Sequence, residues 1–263
     1  MRADKYFSER YGSRTKAAEA IEKGLVLVNG KPIKAKTEIK ETDSITFIQE
    51  KELFVSNGGY KLSRAIQYFS VDCKDKICAD IGASTGGFTD CLLQNGAKKV
   101  YAIDVGESLL HEKLINDNRV VVMDNTNARY LEKSAFGEEI DCVVTDVSFI
   151  SLRLIFPVIH AILKADGEAF VLIKPQFECE NQHIGKSGIV APSAHVSIVR
   201  KVLQYLAEYE LYPRGIVNAP IRKGKNVEYI LSIGRDFKKA KREEELLLEV
   251  KRLVKLNALG ELE

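Results

Sequence analysis

The sequence predicts an α/β protein of two domains: a small α+β module over residues 1–55, a linker at 56–60, and a doubly wound, mostly parallel sheet over 61–263. Two observations support this division. From Lys76 onward, apolar strand-like segments alternate with amphipathic helical segments, which is the order that builds a parallel sheet covered by helices on both faces. Before that point a helical pattern is followed by short strands, as in a compact module.

The N-terminal module opens with a helix whose ends can be predicted. Ser13 can cap its start and Gly24 can end it. The apolar positions between them share one face of the helix: Ala17, Ala20 and Ile21. After this helix, Asn29-Gly30 stands between two apolar runs, which is a strong hairpin signal, and ITFIQ supplies one further strand.

The larger domain is predicted to contain five parallel strands and an edge hairpin. The five strands are KICADIG, VYAIDVG, VVVMD, DCVVTDV and AFVLIK. Helical segments lie between or after them, including FTDCLLQNG, LRLIFPVIHAILKADG and SAHVSIVRKVLQYLAEYE. GIVNAP and NVEYILSIG predict an antiparallel hairpin at the sheet edge, and the tail KKAKREEELLLEVKRLVKLN predicts an amphipathic helix.

The charge balance does not by itself indicate nucleic-acid binding. Lys and Arg number 39 against 37 Asp and Glu, a formal net charge of +2. The excess lies before Gly59, where 11 basic residues face 9 acidic ones, and the remainder is balanced at 28 each.

Other features of the sequence exclude further classes of protein. The N-terminal MRADKYFSER lacks the apolar stretch of a signal peptide, and no run of about 20 apolar residues predicts a membrane-spanning helix. The cysteines have no CxxC spacing, which predicts reduced structural thiols rather than a metal site: Cys73, Cys78, Cys91, Cys142 and Cys179. These observations predict a cytoplasmic protein without a metal or a membrane partner.

The segment ADIGASTGGFTD follows a strand and opens a helix, so its glycines can let the backbone approach a ligand. Asp104 stands 22 residues after Gly82, where a carboxylate usually takes the ribose hydroxyls of a nucleoside cofactor. Asp80 can reach the amino-acid end of S-adenosylmethionine, and Asp124 can meet the adenine amino group. This pattern favours a methyl donor over NAD or a purely structural turn, and no lysine follows the glycines as a P-loop requires. The residues predicted to bind the cofactor are Asp80, Gly82, Ser84, Thr85, Gly86, Gly87, Phe88, Asp104, Asp124 and Asp146.

Residues from Arg2 to Ile48 resemble the S4-like RNA-binding domain of ribosomal proteins and pseudouridine synthases. The resemblance rests on the core pattern KAxxxIxxGxVxVNG. It implies that basic side chains of the helix and hairpin grip structured RNA, whereas charge alone favours a solvated helix surface. The residues implied are Arg14, Lys16, Lys23 and Lys31.

The chain from Arg2 to the tail resembles the TlyA family, in which an S4-like domain precedes an FtsJ-like, Rossmann-like class I methyltransferase domain. The local motifs SNGGYKL, TDVSFISL, IKPQFE and GKNVEYIL carry the resemblance. The catalytic tetrad of the family maps onto Lys61, Asp146, Lys174 and Glu228. Members methylate the 2′-hydroxyl of cytidines in ribosomal RNA, so the resemblance implies the same reaction and a ribosomal RNA or subunit as partner.

These residue types suit the chemistry. A ribose hydroxyl is a poor nucleophile, so the site must help remove its proton while aligning it for in-line displacement. A free lysine titrates near ~10.4, so Lys174 accepts that proton only if its pKa is lowered. Our hypothesis is that Lys174 deprotonates or orients the hydroxyl, Asp146 and Glu228 fix the lysines, and Lys61 helps to hold the substrate.

Other reactions fit the sequence less well. Base-amine methyltransferases carry an (N/D)PP(Y/F) loop where this chain has DVSF, and none of the cysteines has the proline or threonine neighbour typical of cytosine C5 enzymes. A non-catalytic RNA-binding or ribosome assembly factor and a haemolysin-type cytolytic protein remain as alternatives. The stretch Glu178–Val190 predicts either a mobile cover, with His183 and Lys186 near RNA, or an ordinary loop.

Overall fold

The computed structural model describes residues 1–48, 53–179, 184–185, 187–221 and 224–262. The chain divides into two compact units, Met1–Leu53 and Phe54–Glu263. The residues predicted as a linker, 56–60, instead form the N-cap and first turn of a helix, because the second unit begins with Phe54 buried in its core. His183 and Lys186 lie outside the described residues.

The N-terminal unit packs three short helices against a three-stranded antiparallel sheet. The helices are α1 (Ala3–Tyr6), α2 (Ser8–Tyr11) and α3 (Arg14–Glu22), and the strands are β1 (Val26–Val28), β2 (Lys31–Pro32) and β3 (Ile45–Phe47). The Ser13 side chain accepts a hydrogen bond from Lys16 N, as the capping prediction requires. Asn29 and Gly30 adopt positive φ angles of 52° and 73°, the conformation of a tight hairpin turn.

The second unit is built on a seven-stranded sheet of order β6-β5-β4-β7-β8-β10-β9. Its strands are β4 (Ile77–Ile81), β5 (Lys99–Ile103), β6 (Val120–Met123), β7 (Ile140–Thr145), β8 (Leu163–Ile173), β9 (Tyr212–Asn218) and β10 (Tyr229–Gly234). The strands β4 to β8 are parallel, and β10 is antiparallel to both β8 and β9. The predicted fold class, a mostly parallel sheet with an antiparallel edge hairpin, is therefore confirmed.

Helices cover this sheet. They are α4 (Asn57–Phe69), α5 (Gly87–Gln94), α6 (Glu112–Ile115), α7 (Phe156–Ile162), α8 (Pro175–Glu178), α9 (His195–Ala207) and α10 (Glu243–Leu259). The sequence pattern did not predict α4. It also extended the helix containing α7 too far, because Leu163 pairs with Ile140 and continues as a strand. That pairing buries Leu163 completely, so tertiary packing decides against the local helical pattern.

The core lies on both faces of the sheet. Neighbouring residues of β4 alternate between two apolar clusters: Ala79 and Ile81 belong to one, and Cys78 to the other. Because both faces are covered, a ligand site is expected at the carboxyl ends of the strands, where ligands bind in doubly wound sheets. Within the described residues, no helix has the length and apolar character needed to cross a membrane.

Candidate active site

The glycine-rich turn between β4 and α5 is shaped by residues that must come close to other backbone. Gly82 has a φ of +81°, in the region that favours glycine. A Cβ atom on Gly87 would lie 2.3 Å from Ser56 Oγ and 2.8 Å from Gly59 N. Only glycine therefore permits the starts of α4 and α5 to meet.

A cleft opens beside this meeting point. Six residues predicted to bind the cofactor line it: Gly82, Ser84, Thr85, Gly87, Phe88 and Asp146. The remaining lining residues are Ser56, Gly58, Ala83, Ser148 and Lys174. Two helix N-termini meet at its wall, and their positive dipole ends favour a negatively charged ligand group.

Two predicted carboxylates brace the turns around the cleft. Asp104 accepts hydrogen bonds from Ser84 N (2.8 Å) and Gly106 N (2.9 Å), so it joins the glycine turn to the turn after β5. Asp124 accepts from Ser108 N at 2.9 Å. Both stand at the carboxyl ends of their strands, in the positions predicted for the ribose and adenine contacts.

Asp80 lies behind the glycine turn, fully buried, and does not form part of the cleft wall. One of its oxygens accepts a hydrogen bond from Thr89 Oγ1 at 2.7 Å, whereas Oδ1 has no partner among the described residues. Burial raises the pKa of this carboxyl to about 7, and the nearby charges of Asp146 and Asp104 add to the rise against the hydrogen bonds from Thr89. The prediction that Asp80 serves the amino-acid end of the cofactor stays a prediction, and the structure offers this carboxyl as a buried group beside the cleft.

The structure brings the four predicted tetrad residues into one chain of ion pairs. Lys61 Nζ lies 3.2 Å from Asp146 Oδ2 and 2.7 Å from Glu228 Oε2, and Lys174 Nζ lies 2.5 Å from Asp146 Oδ1. Their side chains are 10–18% exposed, which keeps these contacts largely out of water. Asp146 thus stands between the two lysines.

The fold explains why residues so distant in sequence meet. Asp146 directly follows β7, and its backbone N–H donates to Ile81 O of the neighbouring strand. In the antiparallel pair β8–β10, Tyr229 faces Ile173, so Glu228 and Lys174 stand at the same end of the sheet. Lys61 reaches them from the second turn of α4, the helix that the sequence pattern did not predict.

The two lysines are held differently. Burial lowers the pKa of Lys61, but the charges of Asp146 and Glu228 and the hydrogen bonds to them outweigh it, so this pKa is raised. Lys174 Nζ donates to Ser148 Oγ at 2.7 Å. The contact between Lys174 Nζ and Asp146 Oδ1 is short but lacks hydrogen-bond geometry. It is therefore an ion pair without a hydrogen bond.

The loop after β7 presents an aromatic side chain next to these lysines. Phe149 is 91% exposed and has a φ of +62°, an unusual conformation for a bulky residue. Its ring packs against Phe177 with 4.9 Å between centroids. An exposed ring held in a strained conformation beside reactive groups is typical of a ligand contact.

In the N-terminal unit, the residues implied in RNA binding are all exposed: Arg14, Lys16, Lys23 and Lys31. Arg14 shares the carboxylate of Asp4 with Arg2, each at 2.9 Å. The hydrogen bonds from Arg2 and Arg14 lower the pKa of Asp4 to about 2. Asp4 thereby holds two guanidinium groups side by side on the surface.

Sequence reasoning missed four residues that line the cleft: Ser56, Gly58, Ala83 and Ser148. Ser56 and Gly58 come from the start of α4, and Ser148 bonds Lys174. The sequence does contain a signal for Ser56 and Gly58. Ser-Asn-Gly-Gly before an amphipathic run is typical of a helix that starts at a serine N-cap and whose first turn packs closely on another element. Among the described residues, no group of His, Cys, Asp and Glu side chains could hold a metal ion.

Family comparisons match both units. The S4 domain profile matches residues 1–45, and the profile of the FtsJ-like methyltransferase matches residues 54–235. Hemolysin A of Brachyspira hyodysenteriae is 44% identical over 88% of this chain and 98% of its own length. The 16S/23S rRNA (cytidine-2′-O)-methyltransferase TlyA of Mycobacterium tuberculosis is 39% identical over 83% of each chain. A Streptococcus thermophilus protein of known structure, described as a candidate hemolysin, is 35% identical over 98% of both chains, with a TM-score of 0.73.

Proposed function

Because the chain belongs to the FtsJ-like methyltransferase family, with an S4 domain before it as in TlyA, we propose that it transfers a methyl group from S-adenosylmethionine to a ribose 2′-oxygen of ribosomal RNA, with cytidine as the nucleotide. The observation that carries this proposal is the ion-paired tetrad at the mouth of the glycine-turn cleft. Neither feature alone specifies methyl transfer to a hydroxyl. Together they support a nucleoside cofactor site beside groups that can handle a proton.

The residues present fit S-adenosylmethionine, which would supply a methyl group activated by its sulfonium charge. Gly82, with a φ of +81°, and Gly87, whose Cβ atom would meet Ser56 and Gly59, are both needed to form the cleft wall that the ligand would approach. The unpartnered, buried oxygen of Asp80 supplies negative charge for a cationic ligand. Asp104 and Asp124 would hold the ribose and adenine, and the N-termini of α4 and α5 would hold the carboxylate.

Lys174 is the residue that we assign to the acceptor hydroxyl. Its amine contacts Asp146 and Ser148 and lines the cleft, so we expect a substrate oxygen to approach it from the cleft. In the proposed step, Lys174 first releases one ammonium proton to solvent, and the O–H bond of the ribose then breaks toward its free amine. The oxygen would take the methyl group from S-adenosylmethionine, whose methyl–sulfur bond would break. Asp146 then stabilises the resulting ammonium ion, and Lys61 and Glu228 hold Asp146 in place.

The acceptor side also suits RNA. Unpaired bases stack on aromatic side chains, and the exposed ring of Phe149 lies one residue from Ser148. In the N-terminal unit, the guanidinium groups of Arg2 and Arg14 and the exposed amines of Lys16 and Lys31 would contact phosphates.

The test is direct methyl transfer. Purified protein is incubated with labelled S-adenosylmethionine and each ribosomal subunit from cells lacking the enzyme, and 2′-O-methyl groups are mapped by resistance to alkaline hydrolysis. We expect label on ribose at discrete cytidines. Absence of label on both subunits would favour the non-catalytic RNA-binding alternative, and label on a base would overturn the assignment of the acceptor atom.

A further inference from the structure

Glu178, the last residue of α8, has no part in the proposed chemistry and yet is a buried carboxylate near it. It is 4% exposed. One oxygen accepts from Leu152 N at 2.7 Å and the other from Ser151 Oγ at 2.8 Å. Both donors belong to the segment that follows the loop of Asp146, so the carboxylate joins two segments that carry tetrad residues.

These bonds are the outermost of three contacts between the same two segments. Lys174 Nζ donates to Ser148 Oγ at 2.7 Å, and the ring of Phe177 packs on that of Phe149. Residues 174, 177 and 178 on one side thus meet 148, 149 and 151–152 on the other, in matching order. The two segments are fastened along their whole length.

A residue that only filled space would not need a polar side chain here. Burying an ionised or ionisable oxygen pair is unfavourable unless its bonding capacity is used, and burial raises the pKa of Glu178 despite the hydrogen bonds from Leu152 and Ser151. An apolar side chain of similar size would pack without this cost, but it would leave Leu152 N without an acceptor. Through its two hydrogen bonds, the carboxylate fixes both the separation and the orientation of the two segments.

The segment that Glu178 holds contains a strained residue. Phe149 keeps a positive φ although its side chain is almost wholly exposed. Such a conformation persists only where the surroundings determine it, and the ring of Phe177 packs against this ring. Ser148 on one side and the bonds to Glu178 on the other constrain this loop, together with the packing of Val147, Ile150 and Leu152 against the core.

We propose that Glu178 is a positioning residue for methyl transfer: it locks the loop Asp146–Leu152 to the segment Lys174–Glu178, so that Ser148 and Phe149 keep the orientation that receives the acceptor ribose. This inference rests on the proposed function. It predicts that loss of Glu178 affects mainly the acceptor side of the site, where Ser148 and Lys174 lie, and leaves in place the glycine turn, which Asp104 holds.

The test compares two substitutions in the full-length protein. Glu178→Ala removes both acceptors, and kcat for ribosomal RNA should fall about 100-fold, the usual effect of a small misplacement of reacting groups. Affinity for S-adenosylmethionine, measured by calorimetry, should stay within a few-fold of the wild type. Glu178→Gln should restore most of kcat, because its carbonyl accepts from Leu152 N while its amide donates to Ser151 Oγ.

Asp141→Ala is the matched control. This carboxylate also accepts a backbone bond, from Ile77 N at 3.0 Å, but at the opposite end of β7. The control should lower Tm and leave kcat unchanged. The inference is overturned if Glu178→Ala keeps wild-type kcat, if Glu178→Gln falls as far as Ala, or if cofactor binding and kcat fall together. Failure of the proposed function is a separate result, because the wild type itself would then transfer no methyl group.

Discussion

At the scale of single residues, the sequence predicted identities better than environments. Lys61, Asp146, Lys174 and Glu228 could be named from local motifs, and the structure brings them within ion-pairing distance. The sequence could not predict that Asp80 is sealed behind the turn. The position of a residue along a strand determines at which end of the sheet its side chain lies. Its exposure to solvent depends on the other elements that pack over it.

The buried Asp80 leads to a pH prediction. Its pKa of about 7 in the folded chain exceeds the ordinary value of 3.8, so the folded state binds the proton more tightly and stability falls as pH rises through this interval. At about 1.4 kcal/mol per pKa unit, the ionised carboxylate costs roughly 4 kcal/mol at most. Asp80→Asn should therefore gain stability relative to the wild type between about pH 5 and pH 8, measured by thermal unfolding.

The same substitution should weaken cofactor binding. Affinity of the wild type for S-adenosylmethionine should rise from about pH 5.5 to 7.5 as Asp80 ionises, below the range near ~7.7 in which an α-amino group loses its proton. Asp80→Asn should bind weakly and without this pH dependence. A flat profile for the wild type, measured by calorimetry, would contradict the proposed electrostatic role.

At the scale of elements, alternation of apolar segments predicted the strands of the large sheet and the edge hairpin. It missed α4, because the glycines at 58 and 59 have poor helix propensity. Packing explains them: a Cβ on Gly59 would lie 2.2 Å from the Phe54 ring. The boundary between α7 and β8 was misplaced for a related reason, since the pairing of Leu163 with Ile140 overrides local pattern.

The junction of α4 and α5 gives a prediction of its own. Gly87→Ala should force the two helix starts apart and destabilise the protein by roughly 1–3 kcal/mol, the range for overpacked sites. Affinity for S-adenosylmethionine should fall with it, because the junction forms the cleft wall. Urea unfolding and calorimetry measure the two effects.

Gly137→Ala is the control for that substitution, since its Cβ would meet nothing closer than Tyr101 Oη at 3.9 Å. It should change neither stability nor binding appreciably. If Gly87→Ala had as little effect as the control, the close approach of the two helix starts would not depend on a glycine at position 87.

At the scale of the whole molecule, the two units are expected to divide the work. The overall charge of +2 gave no reason to expect RNA, and the case came from the S4 domain and the relatives named as ribosomal RNA methyltransferases. The pattern of strands, helices and glycines predicted a fold that binds a nucleoside cofactor. RNA as the methyl acceptor was predicted only from the resemblance to the family. Composition averages over the surface, so a few exposed basic residues in a small unit do not register in it.

This division predicts separable defects. Substituting Lys16 and Lys31 together by alanine should weaken RNA binding and reduce its salt dependence by about one unit of slope for each phosphate that the protein no longer neutralises. Affinity for S-adenosylmethionine should not change. Filter binding over a range of salt concentrations measures the first effect, and an unchanged slope would remove these lysines from the RNA surface.

The central claim is that Lys174 acts on the acceptor hydroxyl of a site that binds its cofactor independently. The most direct measurement is single-turnover methyl transfer by Lys174→Ala to the ribosomal subunit that the wild type methylates, with cofactor affinity measured on the same preparation. Lys164→Ala is the control, because the amine of Lys164 pairs with Asp141 at the far end of the sheet. We predict that Lys174→Ala binds S-adenosylmethionine normally and transfers no detectable methyl group, while the control is fully active. Wild-type transfer by Lys174→Ala would contradict the account.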